Sequence, residues 1–383
     1  MIVFHGFLGL VAAGWCYALF KSLRAGRRKS FLLETSSNPP QLNELVSIVI
    51  PARNEQENIA QCISSAMSQT HETIEIVVLN DGSTDRTGEI ILGLSENESK
   101  IIYLEGDGSP LPDGWFGKPW ALQRAQKEAK GDWIAFIDAD VQLSAQAIAQ
   151  TVQYAKANRL DMITGIGRLE MKSFWEKVLQ PAVGGFILAG NSLRKVNDPA
   201  QKDKNLANGQ FILIHRKAYD KIGQHRCVQA NILDDIGIAR ALVEHDLRYH
   251  CLDLQYMFSC RMYTSFSEIW EGWTKNLYAG LRYSIPNVVI AISFTFSFSV
   301  LGQVLLLLGA LNAIPIIWLW WGVLITVLCQ SVRLVFDIRR HQNILYGLSH
   351  APANFIVCLI VINSMLKSLR GTVRWKGRTY KPS

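Results

Sequence analysis

The chain has 383 residues, of which 49% are hydrophobic, 10% aromatic and 19% charged, a composition that excludes a disordered chain. Its seven cysteines are scattered and form no CxxC pair, which argues against a disulfide framework or a zinc cluster. The net charge of +7 comes from two short flanks, because residues 21–30 hold five basic residues and residues 367–383 hold six, with no acid in either. The remaining 28 basic and 32 acidic residues give a net charge of −4. A surface that binds nucleic acid spreads its charge over a folded face, so we expect no nucleic-acid partner and assign both flanks to the membrane surface.

An apolar segment opens the chain. Residues 2–20 contain no Lys, Arg, Asp or Glu and are long enough to cross a hydrocarbon core of about 30 Å. The positive charges follow this segment, whereas a signal peptide carries them before it, so we predict a retained anchor over residues 1–20. The positive-inside rule then places the basic linker, residues 21–45, and the domain after it in the cytoplasm.

The next part of the chain alternates strands with helices. Runs rich in β-branched residues predict buried parallel strands at residues 46–52, 74–81, 100–106, 132–140 and 161–166. Helices are predicted between them at residues 55–69, 85–96, 118–130 and 144–158, with Asp85 and Ser144 as N-caps. This alternation predicts an α/β domain with a doubly wound, mostly parallel sheet over residues 46–286.

Acidic residues follow the predicted strands. Asp81 closes the second strand, Asp138 and Asp140 close the fourth, and Arg53 and Glu55 follow the first. Ligands of such sheets bind at the carboxyl ends of the strands, yet the chain has neither a GxGxxG fingerprint nor a phosphate loop. Two carboxylates one residue apart can hold a Mg²⁺ or Mn²⁺ ion that accepts phosphate oxygens, although the same triplet also fits a turn or a helix cap.

The ordered set PARNE (51–55), NDGSTD (80–85), a GK-containing loop and FIDAD (136–140) resembles glycosyltransferase family 2, which has the GT-A fold. The resemblance covers about residues 46–283 and implies a nucleotide-sugar donor. It implies a nucleoside pocket lined by Pro51, Arg53, Glu55 and Asp81. It also implies that Asp138 and Asp140 hold the metal and the donor diphosphate.

Three further elements extend the resemblance. The loop GWFGKPWAL (114–122) is similar to that of the hopanoid-associated and carotenoid glycosyltransferases, and its Lys118 can reach a phosphate. Asn208 and Gly209 resemble the sugar-facing turn of the family. The acid pair in ILDDIGIARAL (232–242) resembles the catalytic element, which makes Asp235 the expected base and Asp234 the second candidate. Capping of a helix N-terminus remains an alternative role for this pair.

Apolar segments return at the C-terminal end. Residues 287–311 and 314–336 predict two membrane spans joined by a tight hairpin. Residues 347–366 are interrupted by polar residues, and we expect them to be re-entrant or to lie against the hairpin, so that the tail, residues 367–383, stays cytoplasmic. The sequence therefore predicts a multi-pass cell-membrane protein with one N-terminal helix and two or three helices within residues 287–366.

The acceptor side is predicted from aromatic residues near the bilayer. Residues 172–197 are expected to lie in the membrane interface as an amphipathic segment, and the predicted helix 265–284 places aromatic residues near the second span. Trp120, Trp270 and Trp273 are the candidate acceptor-side residues. We expect inverting, metal-dependent transfer of one sugar to the hydroxyl of a membrane lipid, first a hydroxylated carotenoid, with a hopanoid or polyprenyl phosphate as alternatives. A processive polysaccharide synthase is a further alternative, but its Gln-x-x-Arg-Trp element is missing from residues 265–284. A membrane scaffold with a residual nucleotide-sugar pocket is the non-enzymatic alternative.

Overall fold

The computed structural model describes residues 1–25, 31–35, 43–106, 109–190, 192–339 and 342–380. Three of the five cations of the N-terminal basic flank, at positions 27, 28 and 29, lie outside these residues. The helices of the described chain are α1 Ile2–Ala25, α2 Ile59–Met67, α3 Thr87–Asn97, α4 Gly117–Ala125, α5 Ala147–Asn158, α6 Phe174–Gly190, α7 Leu193–Val196, α8 Arg216–Lys221, α9 Asp234–Glu244, α10 Phe266–Gly280, α11 Ile285–Thr295, α12 Leu301–Ala310, α13 Ile316–Arg339 and α14 His350–Leu369.

The strands are short, as expected for a sheet whose strands alternate with helices. They are β1 Val46–Ala52, β2 Ile74–Asn80, β3 Ile101–Glu105, β4 Trp133–Ile137, β5 Val141–Leu143, β6 Met162–Ile166, β7 Arg168–Leu169, β8 Phe211–His215, β9 Tyr249–Asp253, β10 Phe258–Cys260, β11 Val373–Trp375 and β12 Arg378–Tyr380.

The described chain divides into two compact units, which we name the sheet unit and the helical unit. The sheet unit consists of Phe31–Glu170, Asn191–Met262 and Lys376–Ser383. The helical unit consists of Met1–Ser30, Met171–Gly190 and Tyr263–Trp375. Residues 171–190 and 263–286, which the sequence analysis assigned to the α/β domain, therefore belong with the apolar helices.

The sheet unit is built on a seven-stranded sheet in the order β3-β2-β1-β4-β8-β6-β9. All neighbouring strands run parallel except where β8 pairs antiparallel with β4 and with β6. The predicted α/β class with a mostly parallel sheet is confirmed. A second sheet of three strands, in the order β5-β10-β7, lies in the same unit.

Both faces of the seven-stranded sheet are covered, which explains why its strands read as continuous apolar runs. Alternate residues of β1 belong to different hydrophobic clusters, with Ile48 and Ile50 in one and Val49 in the other. All three are fully buried. The strands are thus held by burial on two sides, and their carboxyl ends are left free to carry polar loops.

Two local predictions from the sequence need correction. Helix α2 begins at Ile59 and not at residue 55, because residues 53–58 form a loop that follows β1. Ser144 does not cap α5, which begins at Ala147; its hydroxyl oxygen is buried without a hydrogen-bond partner among the described residues. Asp85 does accept a hydrogen bond from the backbone N–H of Thr87 at 3.0 Å, at the start of α3.

The helical unit contains the apolar segments. Among the described residues, four helical stretches are long and apolar enough to cross a membrane. They are Ile2–Arg24, Ile285–Ala310, Ile316–Arg339 and Ile344–Leu369. The last of these is the most buried of the four within the protein.

Helix α14, which forms most of that last stretch, is tied to α10 by polar contacts. The Ser364 hydroxyl accepts a hydrogen bond from the backbone N–H of Tyr278 at 2.9 Å and donates one to the carbonyl oxygen of Thr274. The Asn363 amide donates to the Thr274 hydroxyl at 2.9 Å. Asn363 and Ser364, two of the polar residues within this apolar segment, therefore pack against a neighbouring helix.

Candidate functional site

The loops after β1 and β2 meet at the carboxyl edge of the sheet. The Arg53 guanidinium donates hydrogen bonds to the carbonyl oxygens of Asp81 at 2.6 Å and Gly82 at 3.2 Å. Asn54, in the left-handed region at φ 52°, accepts a hydrogen bond from the backbone N–H of Thr84 at 2.8 Å. Because β1 and β2 are adjacent and parallel, the loops that carry the PARNE and NDGSTD motifs lie side by side and are hydrogen-bonded to each other.

Asp81 is the centre of a three-residue ion-pair group. Its carboxylate accepts hydrogen bonds from Arg124 on one oxygen at 2.8 Å and from Arg378 on the other at 2.6 Å. The Asp81 side chain is only 9% exposed. The two guanidinium groups therefore satisfy both oxygens of an almost fully enclosed carboxylate.

Glu55 lies beside this group with a cation of its own. Lys376 forms an ion pair with the Glu55 carboxylate and also donates to the carbonyl oxygen of Arg53 at 3.0 Å. The second Glu55 oxygen accepts from the Asn58 amide at 2.9 Å. The expected donor-pocket residues Arg53, Glu55 and Asp81 are thus brought together, while Pro51 lies in β1 opposite Leu79 of β2.

Lys118 links the fourth strand to the loop that precedes β8. Its ammonium contacts the Asp138 carboxylate at 2.5 Å and donates to the carbonyl oxygen of Gly209 at 3.3 Å. Burial lowers the pKa of Lys118, but the charges of Asp138, Asp234 and Asp235 outweigh it and hold the pKa well above its ordinary value. Lys118 is therefore a fixed positive charge, and its side chain is still 34% exposed to a ligand.

Asp140 has the features of a metal ligand. One of its carboxylate oxygens is buried and has no hydrogen-bond partner among the described residues. Burial, reinforced by the charges of Asp138 and Glu55, raises the pKa of Asp140 to about 7. A buried carboxylate oxygen that no protein group satisfies fits a divalent cation, which prefers oxygen ligands.

Asp138 and Asp140 would be the protein ligands of such a cation. Within the described ranges, no group of three or more His, Cys, Asp or Glu side chains is arranged to hold a metal. A cation bound here would need oxygens from the substrate to complete its coordination, as Mg²⁺ and Mn²⁺ commonly do at phosphate sites. The donor set therefore fits a metal that is bound together with a phosphorylated ligand.

Asp235 lies in the first turn of α9 and is held on both oxygens. One oxygen accepts from the backbone N–H of Gly209 at 2.8 Å and the other from the backbone N–H of Ile236 at 2.8 Å. Burial and the charge of Asp234 raise its pKa to about 6, against the opposing effect of Lys118. A carboxylate with this pKa is largely ionised at pH 7 and is a stronger base than an exposed aspartate.

The turn at residues 208–209 brings Asp235 and Lys118 to the same place. A Cβ atom at Gly209 would lie 2.9 Å from the Lys118 ammonium and 3.6 Å from an Asp235 oxygen, so any side chain here would crowd both. The Asn208 amide donates to the carbonyl oxygen of Gly165 at 3.0 Å and to Gln210 at 3.0 Å. Asn208 thus fixes the turn; its predicted contact with the donor stays a prediction.

The predicted acceptor-side tryptophans fall in different units. Trp120 belongs to the sheet unit, where its ring lies 5.1 Å from that of Trp115 and the Arg124 guanidinium lies 5.6 Å from its centroid. Trp270 and Trp273 are packed against a hydrophobic cluster of the helical unit. Trp273 also donates to the Gln180 side chain at 3.1 Å. Their role toward an acceptor stays a prediction.

Sequence reasoning missed three cations of the site, Arg124, Lys376 and Arg378. It assigned Lys376 and Arg378 to a basic flank at the membrane surface, whereas the structure pairs them with Glu55 and Asp81. One signal was available, because the strand-end loops carry more acids than bases while the tail carries only bases. The pairing of each acid with its cation depends on tertiary contacts, so it cannot be predicted from the spacing of residues along the chain.

Residues 47–223 of the chain match the family model described as Glycosyl transferase family 2. The matched range contains the motif loops after β1, β2 and β4, Lys118 and the 208–209 turn, and it ends before α9.

Two curated relatives cover nearly the whole chain. A 4,4'-diaponeurosporenoate glycosyltransferase from Staphylococcus aureus (strain bovine RF122 / ET3-1) is 25% identical over 346 residues, covering 88% of both chains. The protein of the same name from strain MRSA252 is 25% identical over 349 residues, covering 89% of both chains.

One solved structure has a similar fold over most of the chain. It is a mannosyltransferase from Pyrobaculum calidifontis in complex with GDP-Man and Mn²⁺, with a TM-score of 0.51 and 14% identity. The alignment covers 94% of this chain and 99% of that one. At this level of identity the likeness establishes the GT-A fold.

Proposed function

We propose that the chain moves one sugar from a nucleotide-sugar donor to a carotenoid acceptor held in the membrane, as a glycosyltransferase whose residues 47–223 match the family 2 model. The observation that carries this proposal is the arrangement of Asp138, Lys118 and Asp235 around the 208–209 turn. It combines a phosphate-binding cation with a carboxylate base in one contact network.

Lys118 and the strand-end carboxylates would serve the leaving group. When a sugar is transferred, negative charge grows on the nucleoside diphosphate that departs, and a cation held in a partly buried site stabilises it. Lys118 is fixed for this task by Asp138 and by the carbonyl oxygen of Gly209. A Mg²⁺ or Mn²⁺ ion held by Asp138 and Asp140 would neutralise further charge on the diphosphate.

Asp235 would act on the acceptor. A hydroxyl that attacks the anomeric carbon must lose its proton, and Asp235, with its pKa raised to about 6, is suited to take it. Asp234 lies beside it, is 8% exposed, and raises that pKa by charge repulsion. A single displacement of this kind inverts the configuration of the sugar, because one nucleophile replaces one leaving group from the opposite side.

The carotenoid acceptor is proposed from two sources. The loop at residues 114–122 is similar to that of carotenoid glycosyltransferases, and the two curated relatives are named for action on 4,4'-diaponeurosporenoate. The four apolar stretches of the helical unit are consistent with an acceptor dissolved in the bilayer. We therefore place this activity in a multi-pass membrane protein whose catalytic domain is cytoplasmic.

A carboxylate acceptor is the second candidate, because the acceptor in the relatives' name is a carboxylate. The distinction matters for Asp235, since a carboxylate is already ionised at neutral pH and gives a base no proton to take. A hydroxylated carotenoid requires the base. The two acceptors therefore predict different consequences of removing Asp235.

Substitution Asp235→Asn tests the proposal directly. Purified full-length protein in detergent is given radiolabelled UDP-glucose or GDP-mannose, Mn²⁺, and either a hydroxylated carotenoid or a carotenoid carboxylate. We expect transfer to the hydroxyl to fall by about 10²–10⁴-fold while nucleotide binding is nearly unchanged. If the carboxylate is the acceptor, transfer to it falls by less than about tenfold.

Asp246→Asn is the matched control. Asp246 follows α9, its side chain is 82% exposed and forms a surface ion pair with Lys202, and asparagine tolerates its positive φ of 55°. Transfer should be within about twofold of the unsubstituted protein. Full transfer to the hydroxyl by the Asp235→Asn protein would remove Asp235 as base, and absence of both transfer and donor hydrolysis in the unsubstituted protein would favour the scaffold.

A further inference from the structure

Two of the last described residues of the chain, Lys376 and Arg378, contact acids of the site. Lys376 and Arg378 flank Gly377, which has a φ of 77°, and Lys376 itself has a φ of 44°. This tight turn directs both cations to acids of the sheet unit, Lys376 to Glu55 and Arg378 to Asp81. We call residues 376–380 the tail strap.

The tail strap is part of the packed sheet unit. The exposed fractions of the Lys376 and Arg378 side chains are 31% and 21%. The Arg53 guanidinium donates to the carbonyl oxygen of Lys376 at 3.4 Å, and the Lys376 ammonium donates back to the carbonyl oxygen of Arg53. Backbone and side-chain atoms of both segments therefore contribute hydrogen bonds to this contact. An ion pair between two exposed side chains would involve the side chains alone.

Gly117 of the GK-containing loop provides the space for Arg378. A Cβ atom at position 117 would overlap the terminal Nη1 atom of the Arg378 guanidinium. Gly117 begins α4 and immediately precedes Lys118, so the loop that carries the phosphate-binding cation also accommodates the tail cation. Two segments more than 250 residues apart in sequence thus fit one another at the site.

The balance of charge shows what the tail strap contributes. The acids of the site among the described residues are Glu55, Asp81, Asp138, Asp140, Asp234 and Asp235. The other cations of the site among the described residues are Arg53, in the loop after β1, and Lys118 and Arg124, in α4. Without Lys376 and Arg378 the six acids face three cations, and neutralisation of an anionic nucleoside diphosphate would depend much more on the bound metal ion.

We propose that the tail strap completes the nucleotide pocket, with Lys376 and Arg378 as donor-binding residues. The inference rests on the proposed function, since it takes the ligand to be a nucleoside diphosphate. Both cations remain in place when the donor binds and present their remaining N–H groups to it. The opposite arrangement, a strap that blocks the pocket until it is displaced, would leave Glu55 and Asp81 short of cations beside an anion.

The test measures nucleotide affinity in the full-length protein. UDP, GDP, ADP and dTDP are titrated calorimetrically in detergent with Mn²⁺, and the nucleotide that binds is then used with Arg378→Gln, Lys376→Gln and the double variant. We expect each single change to weaken binding by about tenfold, because each removes a charge-assisted hydrogen bond, and the double change to weaken it further. Gly117→Ala should weaken binding in the same direction by displacing the guanidinium without removing its charge.

Arg374→Gln is the matched control, because it removes one positive charge from an exposed side chain two residues before the strap. Its affinity should stay within about twofold, and Arg378→Lys should recover part of the affinity lost in Arg378→Gln. Thermal unfolding and size-exclusion profiles confirm that the variants are folded. Any variant that fails these tests is replaced by Gly117→Ala, which keeps every charge.

The outcomes separate the two proposals. Unchanged affinity in both single variants overturns the role of the tail strap and leaves the proposed function intact. Tighter binding in Arg378→Gln also overturns it, in favour of a strap that blocks the pocket. Failure of every nucleotide to bind the unsubstituted protein refutes the proposed donor, and the tail inference with it.

Discussion

Among single residues, Asp235 has the features that a catalytic base requires. It lies at the N-terminus of a helix, where two backbone N–H groups hold its oxygens, and Asp234 and Lys118 act on it with opposite charges. The first-turn position would by itself favour the ionised form. Burial and the charge of Asp234 outweigh this effect and raise the pKa of Asp235 to about 6. A residue whose position in the sequence also fits a helix cap thus has a pKa suited to proton transfer.

A pH dependence follows from that pKa. Because the base must be deprotonated, transfer to a hydroxyl acceptor should rise with pH and reach half of its plateau near pH 6. In Asp234→Asn the repulsion from the neighbouring charge is gone, so the pKa of Asp235 falls and the half-point moves to lower pH. Initial rates between pH 5 and 8 measure this shift. If the pH at half of the plateau rate is the same in Asp234→Asn, the loss of activity at low pH is not caused by protonation of Asp235.

Gly209 and Gly117 are needed because there is no room for a side chain at either position. Neither position has a positive φ, so backbone freedom does not explain the glycines. Each instead leaves room for the end of a cation, Lys118 in one case and Arg378 in the other. In sequence these glycines belong to recognisable motifs, but what occupies the space beside them is visible only in three dimensions.

At the scale of elements, the five strands predicted within residues 46–166 match β1, β2, β3, β4 and β6, whereas α2 and α5 were predicted to start too early. Runs such as VSIVIPA are buried on both faces, and β1 has the predicted bounds of residues 46–52. Helices α2 and α5 begin four and three residues later than predicted, at Ile59 and Ala147. The intervening residues hydrogen-bond to neighbouring loops and so do not enter the helix, a competition that side-chain periodicity does not record.

Helices α12 and α13 pack closely at a glycine. A Cβ atom at Gly322 would lie 2.6 Å from the backbone nitrogen of Leu306 and 2.9 Å from the carbonyl oxygen of Gly302. Backbone atoms cannot rotate away, so the helices would have to separate. We expect Gly322→Ala to destabilise the protein by about 1–3 kcal/mol, as overpacking does.

Thermal unfolding in detergent measures that effect. Gly184→Ala is the control, since Gly184 lies inside α6 and a Cβ atom there meets nothing within 4 Å. The control should be neutral or slightly stabilising, because alanine favours a helix more than glycine does. Equal stability of the two variants would contradict the close approach of α12 and α13.

For the whole molecule, the tail strap constrains the topology of the membrane helices. Residues 376–380 belong to the sheet unit, so they lie on the same side of the membrane as that unit. In a bilayer, the chain between residues 263 and 376 is then expected to cross an even number of times. Three apolar stretches lie in this interval, and the one containing α14 is the most buried and is hydrogen-bonded to α10.

We therefore predict that the stretch containing α14 makes no net crossing and that the C-terminus is cytoplasmic. A reporter active only in the cytoplasm, fused after Ser383, should be active. The same reporter fused after Asn312, in the turn between α12 and α13, should be inactive and serves as the control. An inactive fusion at Ser383 beside an inactive one at Asn312 would show that α14 crosses.

The sequence by itself determined the α/β class, the mostly parallel sheet, the apolar segments and the positions of the strand-end acids. These follow from the period of apolar residues and from local motifs, which act over a few residues. Only the tertiary structure decided that Lys376 and Arg378 pair with Glu55 and Asp81, and that α14 packs against α10. Ion pairs and helix contacts of this kind join residues that are far apart along the chain. A basic residue in the sequence can bind a membrane surface or a buried acid equally well, and only the tertiary contacts determine which of the two it binds.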